Sequence, residues 1–146
     1  MDSTFEATCQ GIGLALAAGA VGGALGRTDA LGNVLAGIAA AGGAALFAVS
    51  LNGASHPAWP GVPAGAILAV LAYIVARDVV AGASKRSESG SAAAISGMVA
   101  VFGFALAILS LIVSPAALAA LAGVIYLALA RRSRSRRKHE GLRVLR

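Results

Sequence analysis

The chain has 146 residues, of which 58% are hydrophobic and only 12% are charged, whereas about 25% of the residues in a soluble domain are charged. A soluble fold of this size could not hide so much apolar surface, because a domain of about 150 residues still exposes roughly 30% of the surface of its unfolded chain. The single cysteine, Cys9, excludes an intrachain disulfide. The 36 Ala and 19 Gly residues instead favour helices that approach one another closely in a bilayer.

Five apolar stretches approach the roughly 20 residues that a membrane-crossing helix needs. They are residues 9–25, 30–51, 64–83, 92–113 and 116–130. The last two are separated at Ser114-Pro115, because one helix over both would be roughly 58 Å long and too long for a single crossing. The sequence therefore predicts an all-α, polytopic transmembrane bundle of five helices. Residues 1–130 form one transmembrane domain, and residues 131–146 form a basic cytoplasmic tail.

The basic residues are distributed very unevenly. Eight of the twelve lie in the tail, and the net charge of the chain is +6. If the chain crosses the membrane five times and the tail is cytoplasmic, the other four also fall on the cytoplasmic side. These four are Arg27, Arg77, Lys85 and Arg86. Because basic residues are enriched in cytoplasmic loops, the sequence predicts an external N-terminus and a cytoplasmic C-terminus.

The tail is predicted to hold this orientation and to contact anionic lipid headgroups, since each Lys or Arg near such a surface contributes on the order of 1 kcal/mol. Its main residues are Arg131, Arg132, Arg134, Arg136, Arg137 and Lys138. The charge is confined to this segment, so we expect no nucleic-acid partner. Trp59, the only tryptophan, lies in a proline-rich loop and is predicted to anchor it at a membrane interface.

A pair of charged residues, Arg77 and Asp78, lies inside the third apolar stretch. Charged residues within membranes are costly and are candidates for function. With Tyr73 one helical turn earlier and Asn33 in the second stretch, they form a possible intramembrane polar site. The alternative is that both charges lie near the inner interface, where Arg77 extends to lipid phosphates and Asp78 pairs with a nearby base.

The first apolar stretch is rich in glycine. Gly19 and Gly23, and likewise Gly22 and Gly26, have the spacing that lets two helix backbones touch. We interpret this spacing as a packing face of the bundle.

No arrangement of residues typical of catalysis occurs in the sequence. His56 and His139 fall on opposite sides of the membrane in the predicted topology, and the few carboxylates form no spaced pair typical of a metal site. We therefore expect neither an enzyme nor a cofactor or bound metal.

Two segments carry a resemblance to known sequences. They are the glycine-rich start of the first helix, at 11–19, and the final hairpin at 106–115, which leads through an apolar helix into the basic residues 131–138 and Gly141-Leu142-Arg143. In these features the chain resembles an uncharacterised family of small, Ala- and Gly-rich bacterial inner-membrane proteins. The resemblance implies a location in the bacterial cytoplasmic membrane and carries no activity.

Two hypotheses for function remain open at this point. The first is a structural or accessory membrane protein that packs with itself or with a larger complex, as the glycine faces favour. The second is a small oligomeric transporter or channel in which Asn33, Tyr73, Arg77 and Asp78 line the path. A pore former with a basic tail is a third option. The first two hypotheses differ in whether Arg77 and Asp78 face the interior of the bundle.

Overall fold

The computed structural model describes residues 3–25, 29–84 and 89–141. These ranges form five helices and contain no strand: α1 (Ser3–Leu25), α2 (Asp29–Gly53), α3 (Gly61–Ser84), α4 (Ser89–Ile112) and α5 (Ser114–Gly141). The helices α1 to α4 are long and apolar enough to cross a membrane, and α5 adds a shorter apolar segment, Pro115–Ala130. The predicted all-α, five-helix fold is confirmed, and the chain is a membrane protein. The orientation of its termini stays a prediction.

The glycine-rich helix α1 occupies the centre of the bundle. It packs against all four other helices, whereas α2 contacts neither α4 nor α5 within the described residues. The share of buried residues reflects this arrangement. In the apolar part of each spanning helix, 56% of the residues are buried in α1 but only 17% in α2 and in α4. Because lipid is as apolar as leucine, burial in the centre follows from side-chain size rather than from hydrophobicity.

The outer helices expose large apolar side chains to the surroundings of the bundle. On α4, for example, Val101, Phe102 and Phe104 are all more than half exposed. In water such a surface would be unstable, since contiguous apolar patches on soluble monomers rarely exceed a few hundred Å². In a bilayer the same side chains contact acyl chains, so the exposed faces of α2, α4 and α5 fit a lipid environment.

The turn that ends α2 is closed by backbone hydrogen bonds. His56 N–H donates to the Leu51 carbonyl over 3.1 Å, and Ser55 N–H donates to the Asn52 carbonyl over 3.0 Å. This is the Schellman arrangement, whose left-handed position is usually glycine. Here Ser55 occupies it with φ of 60°.

Two helix limits differ from the prediction by six residues or more. The prediction started the first helix at Cys9, but α1 begins six residues earlier, at Ser3, with Glu6 in its first turn. A carboxylate is favourable at the positive end of a helix, and polar residues can be helical beyond the hydrocarbon core. At the other end of the chain, α5 continues from its apolar segment through the basic residues to Gly141.

Candidate functional site

The predicted polar site lies where α3 crosses the first turn of α2. Tyr73 is 4% exposed, and its hydroxyl donates a 2.6 Å hydrogen bond to the carbonyl oxygen of Gly32. Gly32 leaves the space for this contact, because a Cβ there would lie 3.2 Å from the Tyr73 hydroxyl and 3.5 Å from the Arg77 guanidinium. The structure thus brings Tyr73 and Arg77 together against Gly32, a residue that the sequence analysis did not single out.

The other two residues of the predicted site are exposed. Asn33 and Asp78 both lie at the surface of the bundle, and Arg77 is half-buried. Consecutive residues on a helix point about 100° apart, so only one of the adjacent pair Arg77 and Asp78 can face α2. The four residues therefore do not converge on one cavity: Tyr73 is buried, Arg77 lies at the edge, and Asn33 and Asp78 face outward.

The position of Arg77 along the bundle follows from its contact with α1. A Cβ at Gly23 would lie 2.5 Å from the Tyr73 carbonyl oxygen and 3.0 Å from the Arg77 backbone nitrogen. Gly23 is two residues from the end of α1. Arg77 therefore lies within roughly 5 Å, along the bundle axis, of the end of α1. It is level with the end of α1 rather than with its middle.

Small residues bring the backbones of α1, α2 and α3 into contact. A Cβ at Gly19 would overlap the Ala69 carbonyl oxygen and lie 2.8 Å from the Ala72 Cβ. Between α2 and α3, a Cβ at Gly43 would lie 2.8 Å from the carbonyl oxygen of Gly65. Three helices therefore meet at glycine with no side chain between them, which leaves no room for a polar path along these contacts.

Two serines of α4 lie against α1. Ser96 is 6% exposed, and its hydroxyl donates a 2.5 Å hydrogen bond to the Ala24 carbonyl in the last turn of α1. Ser110 is 1% exposed and lies against Gly13, with its hydroxyl donating over 2.8 Å to the Ala107 carbonyl. A serine in an otherwise apolar transmembrane helix was the signal for these contacts, but its partner is fixed only by the packing.

At the opposite end of the bundle, the loop between α2 and α3 is tied to α1. The Thr4 hydroxyl and His56 Nε2 are hydrogen-bonded over 2.7 Å. His56 of this loop therefore has a hydrogen-bond partner on α1. Trp59 in the same loop is 75% exposed, a position from which its ring can reach the membrane interface.

The basic tail is helical as far as Gly141, and of its side chains only that of Arg132, which is exposed, is described. Among the described residues, no group of three or more His, Cys, Asp or Glu side chains is placed to hold a metal ion. Comparison with known proteins adds no further assignment: no family model, no curated protein and no solved structure matches the chain.

The contact between Tyr73 and Gly32 predicts a modest, specific loss of stability. We expect Tyr73→Phe to lower the free energy of unfolding by about 0.5–1.5 kcal/mol, the net contribution of a typical buried hydrogen bond. Unfolding in mixed micelles of increasing denaturing-detergent content measures this loss. The matched control is Tyr126→Phe, since Tyr126 is 71% exposed. Equal effects of the two substitutions would contradict a role for the Gly32 contact.

Proposed function

We propose that the protein is a small structural or accessory component of a membrane, which packs with itself or with a larger membrane complex. The observation that carries the proposal is the closed centre of the bundle. Gly19 and Gly23 of α1 lie directly on backbone atoms of α3. We propose that the four-residue spacing of these glycines is the feature that sets this packing, because it removes side chains from one face of α1.

The buried polar groups support the same proposal. None of the four charged side chains whose burial is described is buried, namely Glu6, Arg77, Asp78 and Arg132. The buried serines Ser96 and Ser110 donate to helix carbonyls. The Tyr73 hydroxyl does the same. A transport path needs polar side chains that face a cavity or one another, whereas these groups satisfy the backbone. Asp78 and Asn33, which face outward, do not add to such a path in a single copy.

We further propose an external N-terminus, a cytoplasmic C-terminus and a location in a bacterial cytoplasmic membrane. The hydrogen bond of Ser96 with Ala24 and that of Tyr73 with Gly32 bring four helix ends to one end of the bundle. In the sequence, the basic residues outside the tail lie within or next to these four helix ends. A concentration of Lys and Arg residues on one side of the membrane is typical of cytoplasmic segments. We propose that the tail contacts anionic lipid headgroups there.

The proposal is tested by gentle extraction followed by native mass spectrometry of the intact chain. A stoichiometric membrane-protein partner, or a homo-oligomer without bound solute, is the expected result. The same preparation, reconstituted in vesicles, is assayed for ion and solute flux. Flux that disappears in Asp78→Asn, with expression and oligomeric state unchanged, would contradict the accessory function and favour a small transporter or channel.

A further inference from the structure

The turn between α4 and α5 has a composition unlike the other described loop. Leu111, Ile112 and Val113 precede it and are 54%, 75% and 42% exposed. Pro115 and Ala116 follow it, which leaves Ser114 as the one polar residue. The α2–α3 loop, by contrast, contains Asn52, Ser55 and His56. Three exposed, bulky apolar residues at the tip of a helical hairpin would be unfavourable in water, where each buried aliphatic side chain is worth about 1.5–3 kcal/mol.

We propose that this turn does not emerge from the membrane and that it remains embedded in the bilayer, with its apolar tip in contact with lipid acyl chains. In this arrangement α1, α2 and α3 make full crossings, and α4 and α5 form a hairpin that enters and leaves on one side. The sides assigned to the termini stay the same. The inference concerns only the hairpin and does not depend on the proposed function.

The depth of the turn follows from contacts with α1. Ser110 and Ala117, on either side of the turn, both lie against Gly13. The α2–α3 loop instead reaches Thr4 through His56, which is nine residues, or roughly 14 Å, farther along α1. The turn extends at most about 5 Å beyond Ser110. It therefore ends roughly 9 Å short of the outer loop, about level with Gln10 of α1, at the edge of the apolar stretch that begins at Cys9.

The length of α5 agrees with this depth. Its apolar segment, Pro115–Ala130, is 16 residues long, which corresponds to roughly 24 Å of helix. A full crossing needs about 20 residues, with 17 the lower limit of the usual range. Arg131 follows the segment at once, so the tip of the hairpin reaches the far interface only if the bilayer thins or the Arg131 side chain extends to the near one from within the core.

The backbone of the turn is short and is partly satisfied by its own hydrogen bonds. A polar group that is unsatisfied in lipid costs several kcal/mol. Val113 N–H donates to the Leu109 carbonyl over 2.8 Å, and Ala116 N–H donates to the Val113 carbonyl over 2.9 Å. Pro115 has no N–H group to satisfy. Chain reversal therefore takes place with Val113 as the only non-helical residue between α4 and α5.

The first test is labelling with a membrane-impermeant maleimide in intact and in permeabilised cells. Two variants are compared in a Cys9→Ala background: Val113→Cys at the tip, and Asn52→Cys at the exposed end of α2. We expect Asn52→Cys to react and Val113→Cys to react at least about tenfold more slowly in both preparations, with full labelling after denaturation. Comparable rates for the two variants in the native membrane would overturn the inference.

The second test separates lipid from a protein that covers the tip. The only tryptophan is replaced by Trp59→Phe, and Val113→Trp introduces a fluorophore at the turn. In vesicles of phosphatidylcholine with brominated acyl chains, we expect quenching comparable to that of Phe104→Trp, whose position on α4 is 64% exposed. Fluorescence that the brominated chains leave unquenched would show that the turn does not contact acyl chains, because a second copy covers it or because it lies in water, and it would overturn the proposal.

Discussion

Gly19→Leu is expected to abolish the native packing of α1 against α3. A Cβ at this position would already overlap the Ala69 carbonyl oxygen and approach the Ala72 Cβ to 2.8 Å. Backbone atoms cannot move aside as the end of a flexible side chain can, so the two helices must separate. We expect even Gly19→Ala to lower the free energy of unfolding by about 1–3 kcal/mol, the usual cost of overpacking a core. Gly19→Leu should not yield a stable monodisperse species after extraction.

The matched control is Gly37 on α2, where an added Cβ would meet nothing within 4 Å. Gly37→Ala is expected to be neutral or to stabilise by up to about 1 kcal/mol, because glycine is the poorer helix former. Gly37→Leu should extract and unfold as the parent chain does. Size-exclusion profiles and detergent unfolding curves measure both series. If Gly19→Leu behaved like Gly37→Leu, direct contact between the backbones of α1 and α3 would be excluded.

Gly13→Leu is expected to detach the α4–α5 hairpin and to leave α1, α2 and α3 assembled. A Cβ at Gly13 would overlap Ser110 and lie 3.3 Å from the Ala117 Cβ, so a larger side chain pushes both arms of the hairpin away. The contacts of α1 with α2 and α3 use other residues, among them Gly19 and Gly23. The predicted result is faster hydrogen exchange in α4 and α5, about tenfold for each ~1.4 kcal/mol of lost stability.

Exchange in α2 and α3 should remain close to that of the parent chain in the same variant. Gly123→Leu is the control for bulk added to the hairpin, since a Cβ at Gly123 meets nothing within 4 Å. It should leave exchange unchanged throughout. Uniformly faster exchange in all five helices of Gly13→Leu would show that the hairpin and the three-helix unit unfold together, contrary to the prediction.

Much of the fold could be read from local sequence. The apolar stretches predicted five helices, and the break at Ser114-Pro115 was placed within one residue of the non-helical Val113. The two helix limits that differ most from the prediction, the start of α1 and the end of α5, differ for the same reason. Counting apolar residues locates only the part of a helix that matches the hydrocarbon core. The first turn of α1, with Glu6, lies beyond that part and is helical for reasons of backbone hydrogen bonding and the helix dipole.

The candidate site could be predicted only in part. Residues one helical turn apart share a face, so the proximity of Tyr73 and Arg77 followed from the sequence. Their common partner did not, because Gly32 lies 41 residues from Tyr73 along the chain and has no side chain to attract notice. The outward placement of Asp78 and Asn33 also depends on which face of each helix the neighbours cover, and spacing along one helix does not decide this.

By itself the sequence determined that the chain is a helical membrane protein, how many helices it has and where its charge lies. The physical reason is that a bilayer requires each crossing segment to satisfy its own backbone and to be apolar over a set length, so this information is local. Only the tertiary structure decided that α1, the least hydrophobic of the four spanning helices, lies at the centre. In lipid no hydrophobic force selects the core, and the order of helices is decided by which faces are small enough to touch.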